Sequence, residues 1–241
     1  MGSSVCRAVD TDEGMTLSGS VDPQGGSPSL GALVDAGAEV AVDFTVPSAA
    51  VGNAEWCAAH GIHCVIGTTG IDDSGLGRLA AAFPDDGPLG CVVAPNFAIG
   101  AVLMMRFAAL AAPWFETAEI IELHHDAKID APSGTALRTA ALIEAASSQW
   151  APDPTEKEVV SGARGGVFPG GSVHVHSVRL RGLVAHQEVL FGTTGQTLSI
   201  RHDSTDREPF MPGVLLAVRA VAGVPGRPGL TVGLEHLLGL G

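Results

Sequence analysis

Two adjacent histidines and a nearby lysine, His124, His125 and Lys128, stand just ahead of Ser133, Gly134 and Thr135 in the run EIIELHHDAKIDAPSGTA at 119–136. An imidazole titrates in the working pH range and can both give and take a proton. Lys128 is one of only two lysines among 13 basic residues, the other being Lys157. Arginine holds an anion but does not release a proton in a protein, whereas lysine can. The elements that must position these groups are readable locally. Residues 119–124 are apolar and β-branched enough for a strand, and 126–132 are polar and broken by proline. Ser133 is placed to cap a helix reaching about residue 146. A helix N-terminus offers unpaired N–H groups and a positive dipole end, which suit a carboxylate or phosphate. Proton-transfer groups and a cation beside such a cradle describe a site for a small acidic substrate. For a single residue the plainer reading is a solvated lysine or a half-buried strand histidine; the clustering favours chemistry.

The segment HHDAKIDAPSGTA resembles the signature of the 4-hydroxy-tetrahydrodipicolinate reductase (dihydrodipicolinate reductase) family, whose full pattern here is E-x-x-E-x-H-H-x-x-K-x-D-A-P-S-G-T-A. The resemblance continues through VDFTVPSA, VIGTTG, APNFAIGA, GLVAHQEVLFG and IRHDSTDREPFMPGVLLAVR, and so covers nearly the whole chain. It is nearest to the actinobacterial form of the family.

Composition sets the outer bounds. A chain of 241 residues with 46% apolar content and 32 glycines suits an α/β protein with many tight turns and a substantial core. Its formal net charge of −13 argues against nucleic acid and against an anionic membrane surface as partners. Anionic ligands must then be held by local features. The sequence has no apolar run of transmembrane length and no visible export signal, and Cys6, Cys57, Cys64 and Cys91 form no CxxC pair. Free thiols and a cytoplasmic location are the expectation.

Along the chain, residues 4–10 read as helical and 16–21 alternate as a strand ending at Asp22. The spacing from Gly2 to Asp22 is that of a dinucleotide-binding unit, with Gly2 as the last glycine of a G-x-x-G-x-x-G turn. About ten earlier residues of that unit, a short strand and the rest of the turn, are expected to be missing. Asp22 is placed to hydrogen-bond a ribose hydroxyl, and an acid there repels a ribose phosphate, which leans towards NADH over NADPH. Residues 39–44, 62–66 and 89–93 read as strands, the last two buried, with Pro47 opening a helix to about His60. The second strand ends in Gly67-Thr68-Thr69-Gly70 and the third in Ala94-Pro95-Asn96-Phe97, where a parallel sheet binds its ligands. Phe44 and Thr45 belong to the same edge. Residues 99–112 form a long apolar helix. Residues 149–171 read as irregular, and Gly162-Ala163-Arg164-Gly165-Gly166 as an ordinary loop rather than a phosphate loop. Residues 173–180, 184–191 and 197–202 alternate with period two, as antiparallel strands of a mixed or open sheet. His174 and His176 share a strand face without a third ligand at metal-binding spacing, so they are expected to be structural or subunit contacts. A helix spans 208–221.

The resemblance implies the rest. The fold would be a Rossmann-like dinucleotide-binding domain, 1–97 with 207–241, plus an α+β substrate-binding and tetramerisation domain, 98–206, with a mixed sheet. The activity would be NAD(P)H-dependent reduction of 4-hydroxy-tetrahydrodipicolinate in diaminopimelate and lysine biosynthesis, with no metal, by a homotetramer. His124 and Lys128 would be catalytic, with His125, Ser133, Gly134 and Thr135 binding substrate. Gly2, Asp22, Gly67, Thr68, Thr69, Ala94, Pro95, Asn96 and Phe97 would bind the cofactor, NADH or NADPH. The alternatives are a cofactor-impaired, non-catalytic relative, which the missing first strand suggests, and another nicotinamide-dependent reductase on the same two-domain plan.

Overall fold

Short β-branched runs that end on glycine or proline turns form the first sheet. In a computed structural model, which describes residues 1–22, 29–206, 208–223 and 226–240, β1 (Val40–Asp43), β2 (His63–Ile66), β3 (Gly90–Val93) and β9 (Gly229–Val232) pair in that order, all parallel. Parallel strands need crossovers, and helices supply them. These are α3 (Pro47–Ala59), opened by a proline at its first position, and α4 (Asp73–Ala82), capped by Asp72 through a 2.8 Å bond from the Gly75 N–H. The central strands β2 and β3 are buried on both faces, while β1 and β9 at the edges are only partly covered. Ala50, Ala54, Cys57, Ile62, Cys64, Ile66, Leu79, Phe83 and Cys91 make one contiguous core. The thiols are all free; Cys57, Cys64 and Cys91 are buried, and burial pushes the Cys91 thiol up to about 12.

The second sheet is mixed, in the order β5 (Gly166–Val167), β6 (His174–Arg179), β4 (Thr117–His124), β7 (Ala185–Thr193) and β8 (Gln196–Ser204). The helices α5 (Ile99–Ala111) and α6 (Gly134–Ala146) flank β4 in sequence. Ala118 and Ile120 of β4 pack with Ala136, Ala140 and Ile143 of α6 and with Val175, Val189 and Phe191 of the neighbouring strands.

The chain divides into two compact units, Met1–Ile99 with Arg207–Gly241, and Gly100–Asp206. The first also contains α1 (Gly2–Asp10), the short α2 (Gly31–Asp35) and α7 (Met211–Ala222), with Arg219 of α7 paired to Asp12. α7 lies close against the chain after β3: a Cβ at Gly213 would stand 2.1 Å from the Phe97 carbonyl oxygen.

Three expectations are corrected. Residues 16–21 are not a strand, because the alternating pattern has no ladder partner among the described residues, and Asp22 therefore ends no strand. β6 runs parallel to β4, not antiparallel, and β4 lies between β6 and β7. The carboxy-terminal helix begins at Met211 after a 3₁₀ turn, Glu208–Phe210, since Pro212 cannot donate to a preceding turn.

Candidate active site

β4 alternates, and its inward residues are Ala118, Ile120 and then Glu122. Glu122 thus occupies a core position and is fully buried. Its carboxylate is bonded from three directions. Oε2 accepts from His124 Nδ1 at 2.5 Å and from Arg179 Nη1 at 3.0 Å. Oε1 accepts from Arg179 Nη2 at 2.8 Å and from the Ser133 N–H at 3.2 Å. Burial pushes the carboxyl up, but the hydrogen bonds from His124, Arg179 and Ser177 outweigh it and hold the pKa at about 2. An ionised carboxylate only accepts, so the proton in the bond to His124 sits on Nδ1. Nε2 has no protein hydrogen-bond partner among the described residues.

Arg179 stands beside His124 in the β4–β6 register. Besides Glu122, its guanidinium donates to the Val178 carbonyl at 2.8 Å and to the Asp130 carbonyl at 2.6 Å. The Asp130 carboxylate in turn accepts from the Lys128 amine at 2.7 and 2.8 Å, and that hydrogen bond holds its carboxyl below the usual range. One buried ion pair, Glu122 with Arg179, therefore holds the imidazole on one side and the lysine-bearing loop on the other. The Lys128 N–H donates to the His125 carbonyl at 3.2 Å, and the Ala131–Pro132 peptide is cis just before the helix cap.

Ser133 caps α6, its hydroxyl accepting from the Ala136 N–H at 3.2 Å. Gly134 follows with nothing within 4 Å of the place a Cβ would take, so the helix start is open to approach. The Thr135 carbonyl accepts from the Thr139 hydroxyl at 2.7 Å, and that hydroxyl accepts from the buried Gln187 amide at 2.7 Å. His125 is exposed at the end of β4. The structure thus joins His124 and Ser133 through Glu122, and Lys128 through Asp130 and Arg179. It gives His125 no bond to the helix start.

In the other unit, β1, β2 and β3 end side by side. Asp43, the last residue of β1, organises that edge. Its Oδ1 accepts from the Thr45 N–H at 2.8 Å, the Thr45 hydroxyl at 2.7 Å and the Thr68 hydroxyl at 3.3 Å, and its Oδ2 from Asn53 at 2.8 Å. Gly67 follows β2 beneath the Phe44 ring, where a Cβ would come within 2.1 Å of a ring carbon. Thr68 is buried and Thr69 exposed. After β3 the Ala94 N–H donates to the Ile66 carbonyl at 3.0 Å, and Asn96 accepts from the Ala98 N–H at 2.9 Å. Pro95 is exposed, while Phe97 is buried with its ring 5.8 Å from that of Phe44. Gly67, Thr68, Thr69 and Ala94, Pro95, Asn96, Phe97 therefore lie on adjacent strand ends. Gly2 opens α1, and Asp22 precedes residues 23–28, which lie outside the description.

Sequence reasoning gave no role to Glu122, Arg179, Asp130 or Asp43. Glu122 carried a usable signal, since it shares a strand face with His124. Arg179 carried none, because only the β4–β6 pairing brings it there. His174 is bonded to Asp153 and to the Arg164 carbonyl, and His176 to Glu119. No group of three or more His, Cys, Asp or Glu able to hold a metal occurs among the described residues.

Parallel strands that end together on such turns define a dinucleotide-binding fold of the Rossmann type, accompanied by a second, mixed-sheet unit. Models of the dihydrodipicolinate reductase N-terminus and C-terminus match residues 1–97 and 100–238. The chain belongs to the dihydrodipicolinate reductase family. A 4-hydroxy-tetrahydrodipicolinate reductase of Cutibacterium acnes is 55% identical over 100% of this chain and 95% of its own. One from Streptomyces coelicolor is 51% identical over 100% and 94%. Among solved structures, the dipicolinate-bound dihydrodipicolinate reductase from Paenisporosarcina sp. TG-14 is similar with a TM-score of 0.84 and 39% identity, covering 98% of this chain and 94% of that one.

Proposed function

We propose that this chain reduces 4-hydroxy-tetrahydrodipicolinate to tetrahydrodipicolinate with NADH or NADPH, in diaminopimelate and lysine biosynthesis. The observation that carries the reading is the match of both halves of the chain to one reductase family. The net reaction adds a hydride and a proton to the ring and releases water. The parallel-sheet unit takes the dinucleotide, and the mixed-sheet unit takes the cyclic dicarboxylate.

The residues present fit a dinucleotide. Gly67 has no room for a side chain beneath Phe44, and the turns after β2 and β3 expose backbone at adjacent strand ends. When bound, the reduced nicotinamide supplies the hydride. Gly67, Thr68 and Thr69, with Ala94, Pro95, Asn96 and Phe97, line its ring. Asp22 takes a ribose hydroxyl and favours NADH, and Gly2 at the start of α1 faces the pyrophosphate.

On the substrate side, the Ser133 hydroxyl and the N–H groups of Gly134 and Thr135 take one ring carboxylate, and His125 adds to that cradle. The solved relative with dipicolinate bound supports a planar dicarboxylate as the ligand class. His124 gives and takes the proton at Nε2, the nitrogen its carboxylate partner leaves open. Lys128 exchanges Asp130 for the dianion, polarises it and acts as the second proton donor. The mixed sheet joins four copies into a homotetramer, and the enzyme works in the cytoplasm; no helix among the described residues is long and apolar enough to cross a membrane.

The test is a coupled assay that generates the unstable substrate in place and follows loss of NADH or NADPH absorbance. Turnover that depends on the generated substrate supports the reading. Cofactor binding without any turnover refutes it.

A further inference from the structure

We propose that Glu122 is a positioning residue of this site: its buried carboxylate, held by Arg179, fixes His124 with the proton on Nδ1 and so makes Nε2 the nitrogen that meets the substrate. The inference rests on the reductase reading of His124. Glu122 occupies a place where β4 otherwise turns Ala118 and Ile120 into an apolar core. A carboxylate is expensive there unless it is paired and fully hydrogen-bonded. The sequence could have placed a leucine or valine at that position. Instead the molecule surrounds the carboxylate with a guanidinium, an imidazole and the Ser133 N–H.

Chemistry decides what this arrangement does. The carboxyl sits at about 2, so at working pH it only accepts. It therefore selects one tautomer of the neutral imidazole. The charges around His124 can be named by element. Glu122 is on its own strand, and Arg179 projects from β6. Lys128 and Asp130 lie on the loop that follows. From β7, opposite, come Ala185 and Gln187, and from the helix Ser133 and Thr139, all uncharged. Only Glu122 and Arg179 are tied into direct contact with the ring or its partner. The Ser133 bond adds a second consequence, since the same carboxylate sets the imidazole and the anion-binding helix start in one frame.

The variant Glu122→Gln keeps the shape and an acceptor for Nδ1–H but removes the charge. The expected result is a fall in kcat of about ten- to a hundredfold with KM for the dicarboxylate little changed. An unchanged kcat, or a fall in kcat matched by an equal rise in KM, overturns the inference while leaving the reductase reading intact. A second measurement needs no variant at Glu122. Histidine-selective ¹⁵N spectra of the native enzyme, with His124 assigned by its loss in His124→Gln, should give a protonated Nδ1 and a bare Nε2 in the neutral form. The opposite tautomer overturns the inference even if Glu122→Gln fails to fold. The spectra can be read whether or not the enzyme turns over, so failure of the reductase reading remains a separate outcome.

Discussion

At the scale of single residues, one charge is paired at the surface and another is held in the core. Lys128 rests on Asp130, an exposed carboxylate that can give it up without leaving a buried charge behind. Lys128→Arg preserves the charge and removes the releasable proton. Its kcat should fall about a hundredfold or more with KM for the dicarboxylate changed far less, as steady-state kinetics would read. Near-normal turnover would remove Lys128 from the proton path. Glu122 has the opposite character. Its folded pKa of about 2 lies below its ordinary 4.5, so the stability it contributes is present above pH 4.5 and is lost as pH falls towards 2. That contribution is on the order of 3 kcal/mol. Urea unfolding at a series of acidic pH values should show the loss in the native chain, and Glu122→Gln should flatten it. An equal acid slope in both would mean that other carboxylates govern the transition.

At the scale of elements, the proposed anion cradle depends on how α6 begins. Ser133 satisfies the Ala136 N–H with its hydroxyl, and its own N–H is spoken for by Glu122. Ser133→Ala should cost about 1 kcal/mol of stability through the lost cap. It should also raise KM for the dicarboxylate more than it lowers kcat; denaturation and kinetics on one preparation would separate the two effects. The start of α6 and the strand ahead of it were readable from sequence because capping and alternation are local. Their neighbours were not. The period-two pattern of 173–180 is the same whether the strand runs parallel or antiparallel to β4, and only the ladder His124 to Arg179 reveals which. Arg179 and Glu122 are 57 residues apart, so no spacing rule could have joined them. The opposite holds at 16–21, where a strand-like alternation has no strand to pair with among the described residues. The glycine turns after β2 and β3 were legible for the same reason as α6: the turn chemistry is carried by the residues themselves.

At the scale of the whole molecule, a chain of net charge −13 that handles two anionic ligands must concentrate its cations locally, and Arg179 and Lys128 are two of only 13 basic residues. The same restraint bears on assembly. The mixed sheet buries one face against α6 through Ala118, Ile120, Val175, Val189 and Phe191. Its other face carries Ile121, Leu123, Val178 and Leu190, none of them fully buried, among self-paired charges such as Glu119 with His176 and Arg201 with Glu188. β8 adds an open edge of nine residues. Long unpaired edges and half-covered apolar faces tend to associate, and here the ion pairs within the face lower the cost of covering it. If four copies meet there, light scattering should give about four times 24.4 kDa at micromolar concentration. Leu190→Arg would place an unpaired charge on that face and should reduce the mass without changing the far-ultraviolet circular dichroism. A native chain that scatters as a monomer, or a Leu190→Arg variant that keeps the full mass, would show that this face does not hold the assembly.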